Sequence, residues 1–190
     1  LYHAEAILVH LLIGLGLFFH FRNQPELRLT RLYPLDNGSA LAVGFDLQDT
    51  ESPQLQAWLT GIDERDEWIT ELEGNYIPPR VAGEDHPVIA SSPQMAFILT
   101  GENIGPQQRM SGISCLSLEK GELLWSNFEQ PVGDAEFVSV YFYEDQLVTT
   151  HYASRTSNGS LTERVYVVGL NPIGGTMTWT RVFELPSREN

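Results

Sequence analysis

The sequence predicts an all-β domain built from repeated four-stranded antiparallel sheets, preceded by one N-terminal transmembrane helix. Three observations carry this. An uncharged apolar run occupies residues 6–21. Tryptophans recur at Trp68, Trp125 and Trp179, 57 and 54 residues apart. Short apolar or alternating runs, separated by turn-forming residues, fill the chain between them.

The helix comes first. Residues 6–21 read AILVHLLIGLGLFFHF, and Arg22 ends the run. Sixteen helical residues span about 24 Å, against about 30 Å of hydrocarbon, so a full span draws in residues 1–5 with Tyr2 as an interfacial anchor. The helix is therefore placed at residues 1–22. A cleavable signal sequence and a buried helix are the rival readings. No small-x-small cleavage site follows, since the next residues are Asn23, Gln24 and Pro25. Arg22, Arg28 and Arg31 follow the helix, and by themselves they put the β domain in the cytoplasm. Leu1 stands first, not Met, so that count is incomplete.

Two histidines, His10 and His20, lie in this run. Ala6 and Gly14 flank His10 one turn away on either side. Small residues there leave flat room for a macrocycle, and imidazole is an axial ligand for haem or a chlorophyll-type magnesium. The spacing resembles the Ala-xxx-His pattern of light-harvesting antenna helices. Alternatively, His10 and His20 hydrogen-bond neighbouring protein within the membrane. Either reading gives this helix protein contacts as well as lipid.

Residues 23–34 form a linker and first strand, and residues 35–190 the body of the β domain. The three repeats run at about 27–74, 75–131 and 132–186. Each ends in a comparable unit: AWLTGIDERDEWITELEG, SCLSLEKGELLWSNFEQP and YVVGLNPIGGTMTWTRVFELP. A short apolar strand, a polar turn and a strand built around tryptophan make up each one. Two strands precede each unit, at residues 27–33 and 40–47, 87–91 and 96–100, and 136–142 and 146–152. Turns carry Asp36-Asn37-Gly38, Lys120-Gly121, Glu144-Asp145 and Gly174-Gly175. Residues 48–53, 101–112 and 153–162 are expected to be polar loops projecting from one face.

Four antiparallel strands repeated at this period suggest β-propeller blades. The unit from Cys115 through Gly121 to Trp125 resembles the quinoprotein-like (pyrroloquinoline quinone-type) propeller repeat, and Val168 through Gly174 to Trp179 is similar. Leu59 to Trp68 departs from it, with no glycine after Asp63. The resemblance covers residues 27–186. It implies a structural role for Trp68, Trp125 and Trp179, each packed between adjacent sheets, and for Gly121 and Gly174 in the turns. It also implies an extracytoplasmic, periplasmic setting, because non-enzymatic proteins of this kind scaffold bacterial envelope assembly. Trp58 stands outside the repeat and is expected at a surface or interface. Three blades cannot close a ring, so either further blades or a partner cover the open edge, or the three repeats fold as a twisted sheet stack.

Charge and chemistry limit the function. With 25 acidic and 11 basic residues the net charge is -14, which repels nucleic acid and anionic lipid headgroups. Solubility, or a cationic protein partner, accounts for the acidity. The single cysteine, Cys115, lies in an apolar strand and reads as a buried thiol. His86 and His151 lack a second ligand at metal spacing, and the acidic stretches at 46–51 and 63–67 lack calcium-loop spacing. No nucleophile elbow, Walker loop or dinucleotide fingerprint occurs. The vicinal cysteines of alcohol-oxidising quinoproteins are missing, so no quinone cofactor is expected. Asn37-Gly38-Ser39 and Asn158-Gly159-Ser160 match the glycosylation sequon, and turn formation explains both.

The chain therefore reads as a non-catalytic, single-pass accessory or scaffold subunit of a larger membrane complex, docking other subunits through its helix and β domain. The alternatives are a pigment- or haem-contacting subunit of a photosynthetic or respiratory complex, with His10 as ligand, and a fragment of a longer propeller enzyme.

Overall fold

In the computed structural model the described residues are 27–36, 38–47, 53–60, 66–75, 87–105, 108–128, 135–157 and 160–185. The predicted helix at 1–22, with His10 and His20, lies outside them, as does His86. Every described element is a strand, and twelve strands form three four-stranded antiparallel sheets in sequence order.

The first sheet holds β1 (Leu27–Pro34), β2 (Ala40–Asp46), β3 (Gln54–Thr60) and β4 (Asp66–Glu71). β2 opens on the apolar run ALAVGF and β3 closes on AWL, as strand segments covered on both faces require. Leu41, Ala42, Val43, Leu55 and Ala57 are all fully buried. Trp58 belongs to this core. It is 1% exposed and packs with Ala42, with Leu29 and Leu32 against them. The surface expectation for Trp58 is thus corrected. It sits on β3 between hydrogen-bonded neighbours, opposite Ala42 and Ile69, and its bulk fills core space.

The second sheet holds β5 (Ile89–Ser91), β6 (Met95–Gly105), β7 (Gln108–Ser117) and β8 (Leu123–Asn127). The third holds β9 (Glu136–Tyr143), β10 (Gln146–Ser157), β11 (Ser160–Leu170) and β12 (Met177–Glu184). Two expected loops are in fact strand. Pairing of β6 with β7 runs on to Gly105 and Gln108, and pairing of β10 with β11 to Ser157 and Ser160. Polar residues at 101–112 and 153–162 hid this, because backbone pairing continues past the core regardless of side-chain polarity.

The chain divides into two units, Leu1–Asn75 with Leu118–Glu122, and Tyr76–Ser117 with Leu123–Asn190. Within the second unit β5 and β9 meet, and Val140 N donates to Pro87 O at 2.9 Å. Phe97 and Phe142 stack at 5.5 Å between ring centroids. The backbone N of Phe137 donates to Ser111 Oγ at 2.9 Å. The hairpin joining β9 to β10 turns on two residues, Glu144 and Asp145, with φ of 47° and 61°. Both angles are positive, as the tight hairpin turn that matches strand twist demands.

Candidate docking site

Each repeat tryptophan is the third residue of its sheet's last strand: Trp68 in β4, Trp125 in β8 and Trp179 in β12. Opposite each one the ladder slips, at Leu59/Thr60, Cys115/Leu116 and Gly169/Leu170. An irregularity of this type bends the strand and re-aims a side chain. Its recurrence beside every tryptophan makes it part of the repeat.

What two of these tryptophans touch is a glycine turn. Trp68 Nε1 donates to Leu118 O at 3.0 Å, and a Cβ on Gly121 would lie 2.5 Å from Trp68 Cδ2. Trp125 Nε1 donates to Pro172 O at 2.9 Å, and a Cβ on Gly175 would lie 2.6 Å from Trp125 Cε3. Both glycines have positive φ, 71° and 67°, so each turn needs glycine for its backbone as well as for room. In both cases the accepting carbonyl is three residues before the glycine.

The residue two after each tryptophan completes the contact. Thr70 Oγ1 donates to Gly121 O at 2.5 Å, and Asn127 Nδ2 donates to Gly175 O at 3.1 Å. Sequence reading missed Thr70 and Asn127, and placed Gly175 in the turn without singling it out. The signal was present as a donor side chain two positions after each tryptophan, Arg181 in the third repeat. Gly174 was expected to be the turn glycine. A Cβ there meets nothing within 4 Å, so the expectation is corrected to its neighbour Gly175. An adjacent glycine pair conceals which member carries the turn.

Trp179 is different. It lies over Gly169, its cross-strand partner, where an added Cβ would come 2.2 Å from Trp179 Nε1. It is 38% exposed. All eight residues of β12 are exposed, including Met177, Val182 and Phe183. A shallow groove of about 780 Å³ runs along Trp179, Gly169, Asn171, Phe142, Leu147 and Met95. The Arg164–Glu184 ion pair, at 2.9 Å, marks the far end of β12.

Two buried reactive groups lie elsewhere in the second unit. His151 on β10 is fully buried, its ring 4.1 Å from that of Phe137 and its Nε2 2.8 Å from Thr149 Oγ1. Burial lowers its pKa to about 4, so the imidazole is neutral. Its Nδ1 has no hydrogen-bond partner among the described residues. Cys115 on β7 is fully buried, and burial pushes its thiol up to about 12. Neither reaches solvent, and a thiol held protonated is a poor nucleophile.

Among the described residues no three His, Cys, Asp or Glu side chains gather as a metal site. Nor is any helix among them long and apolar enough to cross a membrane. The sequence matches no family model, and no curated protein matches it either.

Proposed function

We propose that this chain is a non-catalytic, membrane-anchored accessory or scaffold subunit of a larger membrane complex. In this reading the three sheets are blades of a propeller-like domain that docks partner proteins, and the run at 6–21 anchors it. The exposed last strand is the observation that carries the proposal. On β12 Met177, Val182 and Phe183 are each about half exposed, beside Trp179. A clustered apolar strand at a sheet edge is a binding surface, because left open it invites aggregation. The periplasmic location rests on the repeat resemblance alone.

The test is isolation of the native protein in mild detergent with a photo-crosslinking residue at Val182. Recovery in a larger assembly, with an adduct to another polypeptide, supports the docking role. Recovery as a lone chain with no adduct overturns it. The Ala6-His10-Gly14 spacing keeps a pigment- or haem-contacting role as the second reading. A visible absorption band lost in His10→Ala favours it, and a colourless preparation removes it.

A further inference from the structure

Three turns of the second unit line one open groove of about 780 Å³, and each is closed by its own hydrogen bonds. The first joins β5 to β6. There Ser92 Oγ accepts from Met95 N at 3.0 Å, and Ser92 N donates to Met95 O at 2.8 Å. The second is the β9–β10 turn through Glu144 and Asp145, closed where Tyr143 pairs with Gln146. The third joins β11 to β12. Asn171 N donates to Thr176 O, Gly175 N to Asn171 O and Ile173 N to Asn171 Oδ1. Trp125 Nε1, bonded to Pro172 O, pins this turn to the last strand of the second sheet. Walls held this way are in place before an occupant arrives, so little ordering is left to be done on binding.

The groove is apolar inside and acidic at its rim. Met95 and Phe142 are half-buried in it, and the Phe142 ring is backed by Phe97. Ile173 stands at its edge, 79% exposed, more than any other large hydrophobic side chain among the described residues. Asp145 is the one charged residue among those that line it, with no Lys or Arg beside it in the lining. The net charge of -14 deepens the negative potential there. We infer that this groove docks a protein segment that carries an apolar side chain next to Arg or Lys. The apolar group rests on Met95, Phe142 and Ile173, and the cation meets the Asp145 carboxylate. An unneutralised carboxylate beside apolar surface favours a cation on an apolar stem and repels an anion. Small-molecule sites enclose most of their ligand, whereas this groove is shallow and open, which suits a stretch of polypeptide. No residue of β12 is needed for these contacts. They stand whatever follows residue 190, and they add a second surface to the docking role.

The probe is the peptide acetyl-Gly-Leu-Arg-Gly-amide, titrated into the full chain carrying carbon-13 in its methionine methyl groups. Of the three methionines, Met95 lines the groove, and Met110 and Met177 do not. The Met95 signal should shift saturably with a Kd of about 1 mM or tighter, while the other two stay in place. Acetyl-Gly-Leu-Glu-Gly-amide and acetyl-Gly-Ser-Arg-Gly-amide should each bind at least about threefold more weakly. Asp145→Asn should weaken the first peptide by about threefold, and asparagine tolerates the left-handed backbone at this position. Ile173→Ser should weaken it by about threefold as well, through lost apolar contact. Unmoved Met110 and Met177 signals in both variants verify that the fold is kept.

A Met95 signal that no peptide moves overturns the proposal. So does equal binding of the glutamate peptide, or an affinity left unchanged by either substitution. Isoamylamine has the apolar stem and the cation without a peptide. If it binds as tightly as the peptide, the occupant is a small cation, and the proposal is overturned again. A crosslink from Val182 to a native partner is unaffected by any of these results, so the β12 docking surface and this groove fail separately.

Discussion

Trp125 lies so close to Gly175 that a single carbon added to the glycine would come within 2.6 Å of the indole ring. The same turn contains Gly174, where an added carbon meets nothing. Two adjacent glycines thus differ sharply in what they tolerate. Gly175→Ala should destabilise the protein by about 2–4 kcal/mol, through positive-φ strain and overpacking together. Gly174→Ala should stay within about 1 kcal/mol of the parent. Urea unfolding of the pair, followed by tryptophan fluorescence, checks this. Equal losses would mean that the turn does not seat the indole on Gly175.

Protonation of His151 should destabilise the second unit as pH falls. The folded pKa, about 4, lies below the ordinary value of 6.5, so the unfolded chain binds the proton more readily. The stabilisation is complete above pH 6.5 and is lost progressively as pH falls from 6.5 to 4. Its full size is about 3 kcal/mol. His151→Gln retains a group able to bond Thr149 and removes the titration. The difference in unfolding free energy between parent and variant should therefore shift in the variant's favour across that window. A difference that stays constant with pH refutes the assignment.

Cys115 should resist thiol reagents in the native state. With the side chain fully buried and its pKa near 12, almost no accessible thiolate exists at neutral pH. Labelling should await unfolding and then follow the unfolding rate. Stoichiometric reaction within minutes under native conditions would place the sulfur at the surface.

The β9–β10 hairpin is under-optimised. Glu144 and Asp145 both hold positive φ, which neither prefers, whereas Asn-Gly suits this two-residue turn. The double substitution Glu144→Asn with Asp145→Gly should raise stability by about 0.5–1 kcal/mol and leave the register of Tyr143 with Gln146 unchanged. Thermal unfolding and amide exchange across β9 and β10 measure both. A loss of stability would mean that the two acidic side chains make interactions beyond the turn.

Local patterns determined much of this architecture. Apolar runs bounded by turn residues placed all twelve strands, because burial and backbone geometry act over a few neighbouring positions. Tryptophan spacing alone located the last strand of every repeat. Other features are relations between distant residues, and only tertiary structure decided them. Trp58 is core because Leu29, Leu32 and Ala42 come against it. Gly175, not Gly174, is the seat for Trp125 because the chain's approach fixes which carbonyl the indole reaches. Residues 101–105 and 153–157 are strand because partner strands extend alongside them, whatever their polarity. The chain's own letters specify where strands and donors occur. Which donor meets which carbonyl 47 to 51 residues away is set by packing, since no local preference carries information over that distance.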